Sequence, residues 1–242
     1  MVVEVPGWQY CLILQSKYDR NKVKPMVTEI VKELKTHTPF TICGAFTGII
    51  IIACFQKLPK FLRNNDFIGT AVLADHMLID LEPGDTTNQC YGATFDIGTS
   101  TIVGSLMNLC NGSEIAVTSG INPQVSYGDD VLSRIEHASS CADCLDQLHT
   151  QVITTINKMI ESMCQEQSVD REQVYEVVIA GNTTMEHLLC GIDPSNLGKV
   201  PFVPAHSKGM MFAASELGIS INHRGLAYLF PIIGGFVGGD IT

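Results

Sequence analysis

The sequence has few charged residues, and basic residues are the scarcer kind. Asp and Glu number 25 against 15 Lys and Arg, which gives a formal net charge of -10 at pH 7. Broad binding to nucleic acid requires a basic surface, so this balance argues against a nucleic-acid-binding protein. Only 17% of the residues are charged while 45% are hydrophobic, so the chain can bury a sizeable core.

The sequence also lacks a hydrophobic run long enough to span a membrane. The longest run is GIIIIACF at 48–55, far below the roughly 20 residues that a transmembrane helix needs. We interpret the stretch 47–54 as a buried strand. The start of the chain does not resemble a secretory signal peptide, which predicts a cytoplasmic protein whose 9 cysteines are reduced thiols.

Two of the cysteines, Cys141 and Cys144, form a CxxC pair. Such a pair can indicate redox or metal chemistry. A zinc site needs four ligands and no second pair is present, so the pair alone is weak evidence. The expectation is two ordinary thiols at the start of a helix.

The most informative stretch is 91–119, which predicts three strands joined by two tight turns. Asn111-Gly112 is typical of a hairpin turn. The earlier turn follows Asp96 and is rich in glycine and hydroxyl side chains. Gly98 lets the backbone approach a ligand closely.

Successive N–H groups of this turn, together with the hydroxyls of Thr99, Ser100 and Thr101, can converge on one anion. Asp96 cannot bind phosphate directly, but it can hold a magnesium ion through water. The alternative interpretation is an ordinary structural hairpin turn.

The remaining elements follow from hydrophobic periodicity and turn residues. Apolar residues at helical spacing predict a helix over 24–35 and a longer helix over 144–164. Asp129 precedes another helix and can cap it, and Asp130 complements the N-terminal dipole of that helix. Further strands are predicted at 10–14, 40–43, 70–73, 77–80, 174–180 and 226–230, and a short helix follows the turn at 181–184.

This order of elements predicts a mixed α/β fold. We place a small α+β domain at 1–85 and a second domain at 90–242, separated by a polar linker at 85–89.

Several separated blocks together resemble one family. The blocks are EPGD at 82–85, FDIGTSTIVG at 95–104, NPQVSYGDDVLSRI at 122–135, AGNTTMEHLLCGIDPSNLG at 180–198, PFVP at 201–204, SELGISI at 215–221 and PIIGGFVGGD at 231–240. The family is the ATP-dependent reductive activators of corrinoid proteins, including relatives in which a ferredoxin is fused to an actin-like ATPase domain. The resemblance implies a small α+β middle domain followed by the ribonuclease-H-like first half of an actin-like ATPase domain.

It also implies an activity. Such an activator reduces a Co(II) corrinoid protein to Co(I). A 2Fe–2S ferredoxin domain supplies the electron, and ATP with Mg²⁺ supplies the free energy. The corrinoid protein is the implied partner. Dimers are common in the family, so a homodimer is compatible with the resemblance, although no residue demands one.

The sequence departs from the family layout at both ends. It contains no plant-type C-x4-C-x2-C cluster, and it stops before the family's second phosphate loop. We therefore expect a truncated chain that is inactive alone and does not bind ATP tightly.

The resemblance assigns the site residues. Asp96 and Asp240 are the expected catalytic and metal-holding acids, although Asp240 is equally suited to cap a helix after Gly238 and Gly239. Asn182 and Thr183 lie where cleft residues are expected, although Asn182 can instead tie down its turn. The residues expected to bind the nucleotide are Gly98, Thr99, Ser100, Thr101, Asn182, Thr183, Gly238 and Gly239.

Within the block at 122–135, four residues either contact nucleotide or partner or form a structural loop: Gln124, Tyr127, Asp129 and Arg134. Two other functions remain open. The first is a small-molecule kinase on the same fold, although no catalytic aspartate base near a sugar pocket can be assigned. The second is a folded, non-catalytic fragment that keeps only a docking surface.

Overall fold

A computed structural model describes residues 8–15, 49–50, 52–66, 68–74, 77–234 and 238–239. The chain divides into two compact units. The first comprises Met1–Cys90 with Leu109–Asn111, and the second comprises Tyr91–Asn108 with Gly112–Thr242.

The first unit contains a four-stranded sheet and one described helix. Its strands lie in the order β1-β3-β4-β2. β3 pairs antiparallel with both β1 and β4, while β2 pairs parallel with β4. The elements are β1 (Trp8–Gln15), β2 (Ile49–Ile50), α1 (Ile52–Asn64), β3 (Ile68–Ala74) and β4 (Met77–Pro83).

The interpretation of 47–54 as one buried strand is wrong for its second half. The strand is only Ile49–Ile50, and helix α1 begins at Ile52. Cys54, Leu58 and Leu62 are buried, and their spacing of four residues places them on one helical face. A short apolar run does not distinguish a strand from a buried helical turn, and the residues that follow decide between them.

The strand expected at 10–14 and the hairpin formed by 70–73 and 77–80 are confirmed, each with slightly wider bounds. The helix expected at 24–35 and the strand expected at 40–43 lie outside the described residues.

The second unit contains a six-stranded sheet with the order β7-β6-β5-β8-β10-β9. β5, β6 and β7 form an antiparallel meander, β8 lies parallel to β5, and β10 lies parallel to β8. The strands are β5 (Tyr91–Ile97), β6 (Thr101–Asn108), β7 (Ser113–Ile121), β8 (Val174–Gly181), β9 (Met210–Ala213) and β10 (Leu226–Leu229).

Three α-helices connect these strands: α2 (Val131–Ala138), α3 (Cys144–Gln167) and α4 (Thr183–Leu189). Asp130, rather than Asp129, is the N-cap of α2, because its carboxylate accepts a hydrogen bond from the Ser133 amide at 2.8 Å. Hydrogen bonds from Ser133 lower the pKa of Asp130. The long helix is confirmed and extends three residues beyond the predicted end.

The core of this unit lies between the sheet and α3. Leu148, Val152 and Ile156 of α3 are fully buried, as their helical spacing predicts. On the sheet, Phe95 and Ile97 of β5 point into the same cluster. The predicted mixed α/β fold is therefore confirmed, and the meander followed by two parallel strands is the arrangement expected for the first half of an actin-like ATPase domain.

In the part of the chain that the structure describes, no helix combines the length and apolar composition required to cross a lipid bilayer.

Candidate functional site

The turn between β5 and β6 is held from behind by hydrogen bonds to its carbonyl groups. The Gly98 carbonyl accepts from the Asn122 side chain at 2.9 Å, and the Ser100 carbonyl accepts from the Asn122 amide at 2.9 Å. Between them, the Thr99 carbonyl accepts from the Arg134 guanidinium at 2.5 Å. Three successive carbonyls therefore point toward the body of the unit.

The direction of these carbonyls fixes the direction of the amides. In a planar trans peptide, the N–H of one residue points opposite to the C=O of the residue before it. The N–H groups of Thr99, Ser100 and Thr101 consequently point away from Asn122 and Arg134. Among the described residues, none accepts a backbone hydrogen bond from Thr99 or Ser100. The turn thus presents a row of N–H donors of the kind that binds anions.

Gly98 allows this turn to close. Its amide donates to the Thr101 carbonyl at 2.9 Å. A Cβ on Gly98 would lie 2.7 Å from that carbonyl oxygen, too close for any residue with a side chain.

Asp96 lies at the end of β5 on the face opposite the core. Its neighbours Phe95 and Ile97 are buried, while Asp96 is exposed. This alternation follows from the two-residue period of a strand. The exposed position leaves the Asp96 carboxylate beside the turn and not covered by the protein core.

Asn182 connects the end of β8 to the same turn. Its side-chain amide donates to the Thr99 hydroxyl at 3.1 Å, while its carbonyl oxygen caps α4 by accepting from the Met185 amide at 3.1 Å. The expectation that Asn182 ties down its own turn is therefore met. Asn182 also contacts the turn between β5 and β6, which we call the first turn. Because the Thr99 oxygen accepts this bond, its hydroxyl hydrogen remains available for another acceptor.

Thr183 is fully buried, and its hydroxyl donates to the Gly234 carbonyl at 2.7 Å. This hydrogen bond anchors the segment that starts at residue 231, which we call the closing segment.

Gly238 and Gly239 are buried beside the end of β8. A Cβ on Gly238 would lie 1.9 Å from the Gly181 carbonyl oxygen, so the two backbones are in direct contact. The Gly239 amide lies 3.3 Å from Glu186 Oε1, to which it donates. The structure therefore brings Gly238 and Gly239 to Asn182, and Asn182 to the first turn. Asp240 lies outside the described residues.

Sequence reasoning did not identify a buried group behind this closing segment. Glu186 is fully buried, and its Oε2 lies 3.9 Å from His206 Nε2. The rings of His187 and His206 stack with centroids 5.4 Å apart. Burial lowers the pKa of both histidines. Glu186 and His187 are adjacent, but His206 is distant in the sequence and only the fold brings it to them, so no sequence signal pointed to this group.

Two of the four residues expected to contact nucleotide or partner in the block 122–135 are structural. Gln124 is buried and donates from its side chain to the Leu148 carbonyl at 2.9 Å. Arg134 is buried and reaches the first turn, as described above. Asp129 is exposed, and Tyr127 packs against the His137 ring with centroids 4.8 Å apart.

The interpretation of Cys141 and Cys144 as ordinary thiols is wrong, because the two residues form a disulfide. Cys141 is exposed, whereas Cys144 is buried as the first residue of α3. Residues three apart at the entry to a helix lie close enough for this bond, with a Cα–Cα distance of 5.2 Å. Among the described residues, no group of three or more His, Cys, Asp and Glu could hold a metal ion.

Comparison with known proteins gives one family match. Residues 91–242 match the family described as the RACo middle region. This range is more than half of the chain and contains the turn, α2, Asn182 and the closing glycines.

The chain is also similar to individual proteins. It is 31% identical over 227 residues to the corrinoid activation enzyme RamQ of Eubacterium limosum, covering 93% of this chain and 36% of that protein. Among solved structures, a reductive activator for corrinoid, iron-sulfur protein matches with a TM-score of 0.85 and 28% identity, covering 96% of this chain and 37% of that one. The chain thus spans about a third of the length of these relatives.

A Ppx/GppA phosphatase of Aquifex aeolicus matches over only 37% of this chain, with a TM-score of 0.22 and 15% identity. That match is too partial to bear on the fold.

Proposed function

The chain belongs to the RACo middle region family, and from this membership we propose that it is part of an ATP-dependent reductive activator of corrinoid proteins. The proposed activity of the whole protein is the reduction of a Co(II) corrinoid protein to Co(I). The chain spans 36% of RamQ, so we propose that it supplies one side of the ATP site and is inactive alone.

One observation carries this proposal. The carbonyls of Gly98, Thr99 and Ser100 are all held from behind, so the following N–H groups face outward as a set. A phosphate chain has oxygens on several sides and is bound well by such a row of donors. Gly98 has no space for a Cβ, which keeps the peptide tightly curved.

The residues around this turn fit ATP and Mg²⁺. When bound, Mg-ATP supplies the free energy of phosphoryl transfer. The Thr99 hydroxyl is oriented by Asn182 and can donate to a phosphate oxygen. The exposed Asp96 carboxylate is suited to hold a hydrated magnesium ion. We propose the same metal-holding role for Asp240, and a phosphate contact for the amides of Gly238 and Gly239.

The described residues do not fit a 2Fe–2S cluster. A cluster of this kind takes four cysteine ligands, and no group of three or more potential ligands is found among the described residues. We therefore propose that any iron–sulfur centre of the whole activator lies outside the residues that the structure describes.

We further propose a corrinoid protein as the partner and the cytoplasm as the location. The names of the relatives, a corrinoid activation enzyme and a reductive activator for corrinoid, iron-sulfur protein, support the partner.

The test uses a full-length activator in which this chain supplies the matched segment. Asp96→Ala should lower Mg-ATP hydrolysis and titanium(III)-driven loss of Co(II) by at least about a hundredfold, with the thermal midpoint unchanged. Asp146→Ala removes another exposed acid, on α3, and should change neither rate. Hydrolysis at the wild-type rate in the Asp96 variant would show that Asp96 does not hold the metal.

The same protein separates the alternatives. A small-molecule kinase of this fold would transfer phosphate to a sugar and leave Co(II) unreduced. If this chain is only a non-catalytic docking segment, the full-length activator that contains it would give no heat on titration with Mg-ATP.

A further inference from the structure

Arg134 is a fully buried cation behind the first turn, with 0% of its surface exposed. Its guanidinium donates to the carbonyls of Thr99 at 2.5 Å and Gly128 at 2.9 Å. One terminal nitrogen also contacts the Gln124 side-chain oxygen at 3.4 Å and the Met185 sulfur at 3.1 Å. All four partners are neutral.

No carboxylate neutralises this charge among the residues that the structure describes. Asp129 and Asp130 act on Arg134 only through the longer-range Coulombic attraction, which raises its pKa, and burial outweighs them and lowers it. A guanidinium nevertheless stays protonated in proteins. A buried charge without an opposite charge is unfavourable unless hydrogen bonds and a nearby counter-charge compensate it.

The free side of the turn is where such a counter-charge can lie. Arg134 contacts the carbonyl of Thr99, and the outward N–H groups of the turn lie on the other side of the same peptides. The positive charge and the N–H dipoles therefore act in the same direction on anything bound there. The protein interior between them has a low dielectric constant, which strengthens the effect relative to water.

We propose that Arg134 is a positioning residue that makes the turn selective for the phosphate groups of the nucleotide. It does so in two ways: it fixes the Thr99 carbonyl so that the next amide faces outward, and it supplies the positive charge behind the row of amides. This inference rests on the proposed function, because it concerns the same site.

Gln124 offers a variant that separates charge from shape. Gln124→Glu keeps the side-chain length and places a carboxylate oxygen at the position 3.4 Å from the guanidinium, but it also loses the amide that donates to the Leu148 carbonyl. Gln124→Met loses the same hydrogen bond without adding a charge and is its matched control. In Gln124→Glu the arginine keeps its hydrogen bonds to Thr99 and Gly128, but its charge is neutralised. A purely structural role for Arg134 predicts equal binding by Gln124→Glu and Gln124→Met, because both lose the hydrogen bond to Leu148 and both keep Arg134 behind the turn.

The experiment measures binding of pyrophosphate to the full 242-residue chain by the amide ¹⁵N shifts of Thr99, Ser100 and Thr101. We expect wild type to bind and Arg134→Met to bind at least about tenfold more weakly, with most of that loss recovered by Arg134→Lys. Gln124→Glu should bind at least about tenfold more weakly than Gln124→Met. Arg171→Met removes an exposed arginine and should bind as wild type does. Thermal denaturation with and without pyrophosphate shows that each variant is folded.

Two outcomes overturn the inference in different ways. If wild type, Gln124→Glu and folded Arg134→Met all bind pyrophosphate within twofold of one another, Arg134 does not select the anion, while the proposed function stands. If wild type shows no shift at these three amides, the phosphate site itself is absent and the proposed function fails with it. Should Arg134→Met not fold, the comparison of Gln124→Glu with Gln124→Met decides the question, and equal binding by these two overturns the inference.

Discussion

At the scale of single residues, Gly238 shows why the closing segment requires glycine at a particular position. Any Cβ at this position would lie 1.9 Å from the Gly181 carbonyl oxygen, so a side chain must push the two backbones apart. Gly238→Ala should lower the free energy of unfolding by about 1–3 kcal/mol and disturb the Gly239 contact with Glu186.

Gly234 gives a matched control, because a Cβ there would meet nothing within 4 Å. Gly234→Ala should change stability by no more than about 0.5 kcal/mol. Urea denaturation of the two variants measures the difference, and equal midpoints would contradict the packing described for Gly238.

His187 predicts a pH dependence. Its Nδ1 lies 2.7 Å from the Thr183 carbonyl and its Nε2 accepts from the Ala205 amide at 3.0 Å, which requires a neutral ring. Burial therefore lowers its pKa from the ordinary 6.5. Below pH 6.5 the His187 ring becomes protonated in the unfolded chain, while in the folded protein it stays neutral to a lower pH. Stability from this residue is complete above pH 6.5 and is lost as the pH falls toward the folded pKa.

The measurement is the free energy of unfolding between pH 7.5 and about pH 5. We expect His187→Gln to reduce the fall in the free energy of unfolding as the pH is lowered. The remaining fall is assigned to His206, whose pKa is lowered by burial and by the neighbouring His187. An unaltered slope in the His187 variant would contradict this assignment.

At the scale of elements, we predict how the stability of the protein depends on the redox state of the disulfide at the N-terminus of α3. The Cys141–Cys144 disulfide links residues only three apart in sequence. Closing so short a loop removes little entropy from the unfolded chain, so its loss should cost no more than about 2 kcal/mol. We therefore expect dithiothreitol to lower the denaturation midpoint slightly.

Cys141→Ser should abolish the response to reductant. Cys110 is an exposed cysteine that is not part of this disulfide, and Cys110→Ser should respond as wild type does. If the midpoint of Cys141→Ser still moves on reduction, another pair of thiols is responsible.

The strands and the long helix could be predicted because their patterns extend over many residues. Phe95 and Ile97 alternate with exposed residues along β5, and the buried residues of α3 recur at helical spacing. The short run at 47–54 could not be predicted in the same way. Its apolar residues suit a strand or a helix equally, and packing decided that α1 begins at Ile52.

At the scale of the whole molecule, the chain spans about a third of its relatives, and this leads to a prediction about ATP. The first turn presents donors for phosphate, but adenosine contacts are proposed to lie in the remainder of the protein. Mg-ATP should therefore bind this chain at least about tenfold more weakly than it binds a full-length activator, because each lost contact adds to the dissociation constant.

Pyrophosphate should not show this difference, since it uses the phosphate contacts alone. Titration calorimetry of both ligands into both proteins makes the comparison. Equal affinity for Mg-ATP in the short and full-length proteins would mean that the chain already contains the whole nucleotide site.

The sequence by itself determined the mixed α/β fold, the turn after Asp96 and the family resemblance, because these depend on local patterns of hydrophobicity, glycine and hydroxyl residues. Only the tertiary structure showed that Arg134 lies behind Thr99 with no carboxylate partner among the described residues, and that Gly238 packs on Gly181. These residues are 35 and 57 positions apart in the sequence. Their meeting depends on how the sheet and helices pack, and packing between distant segments leaves no periodic signal in the chain.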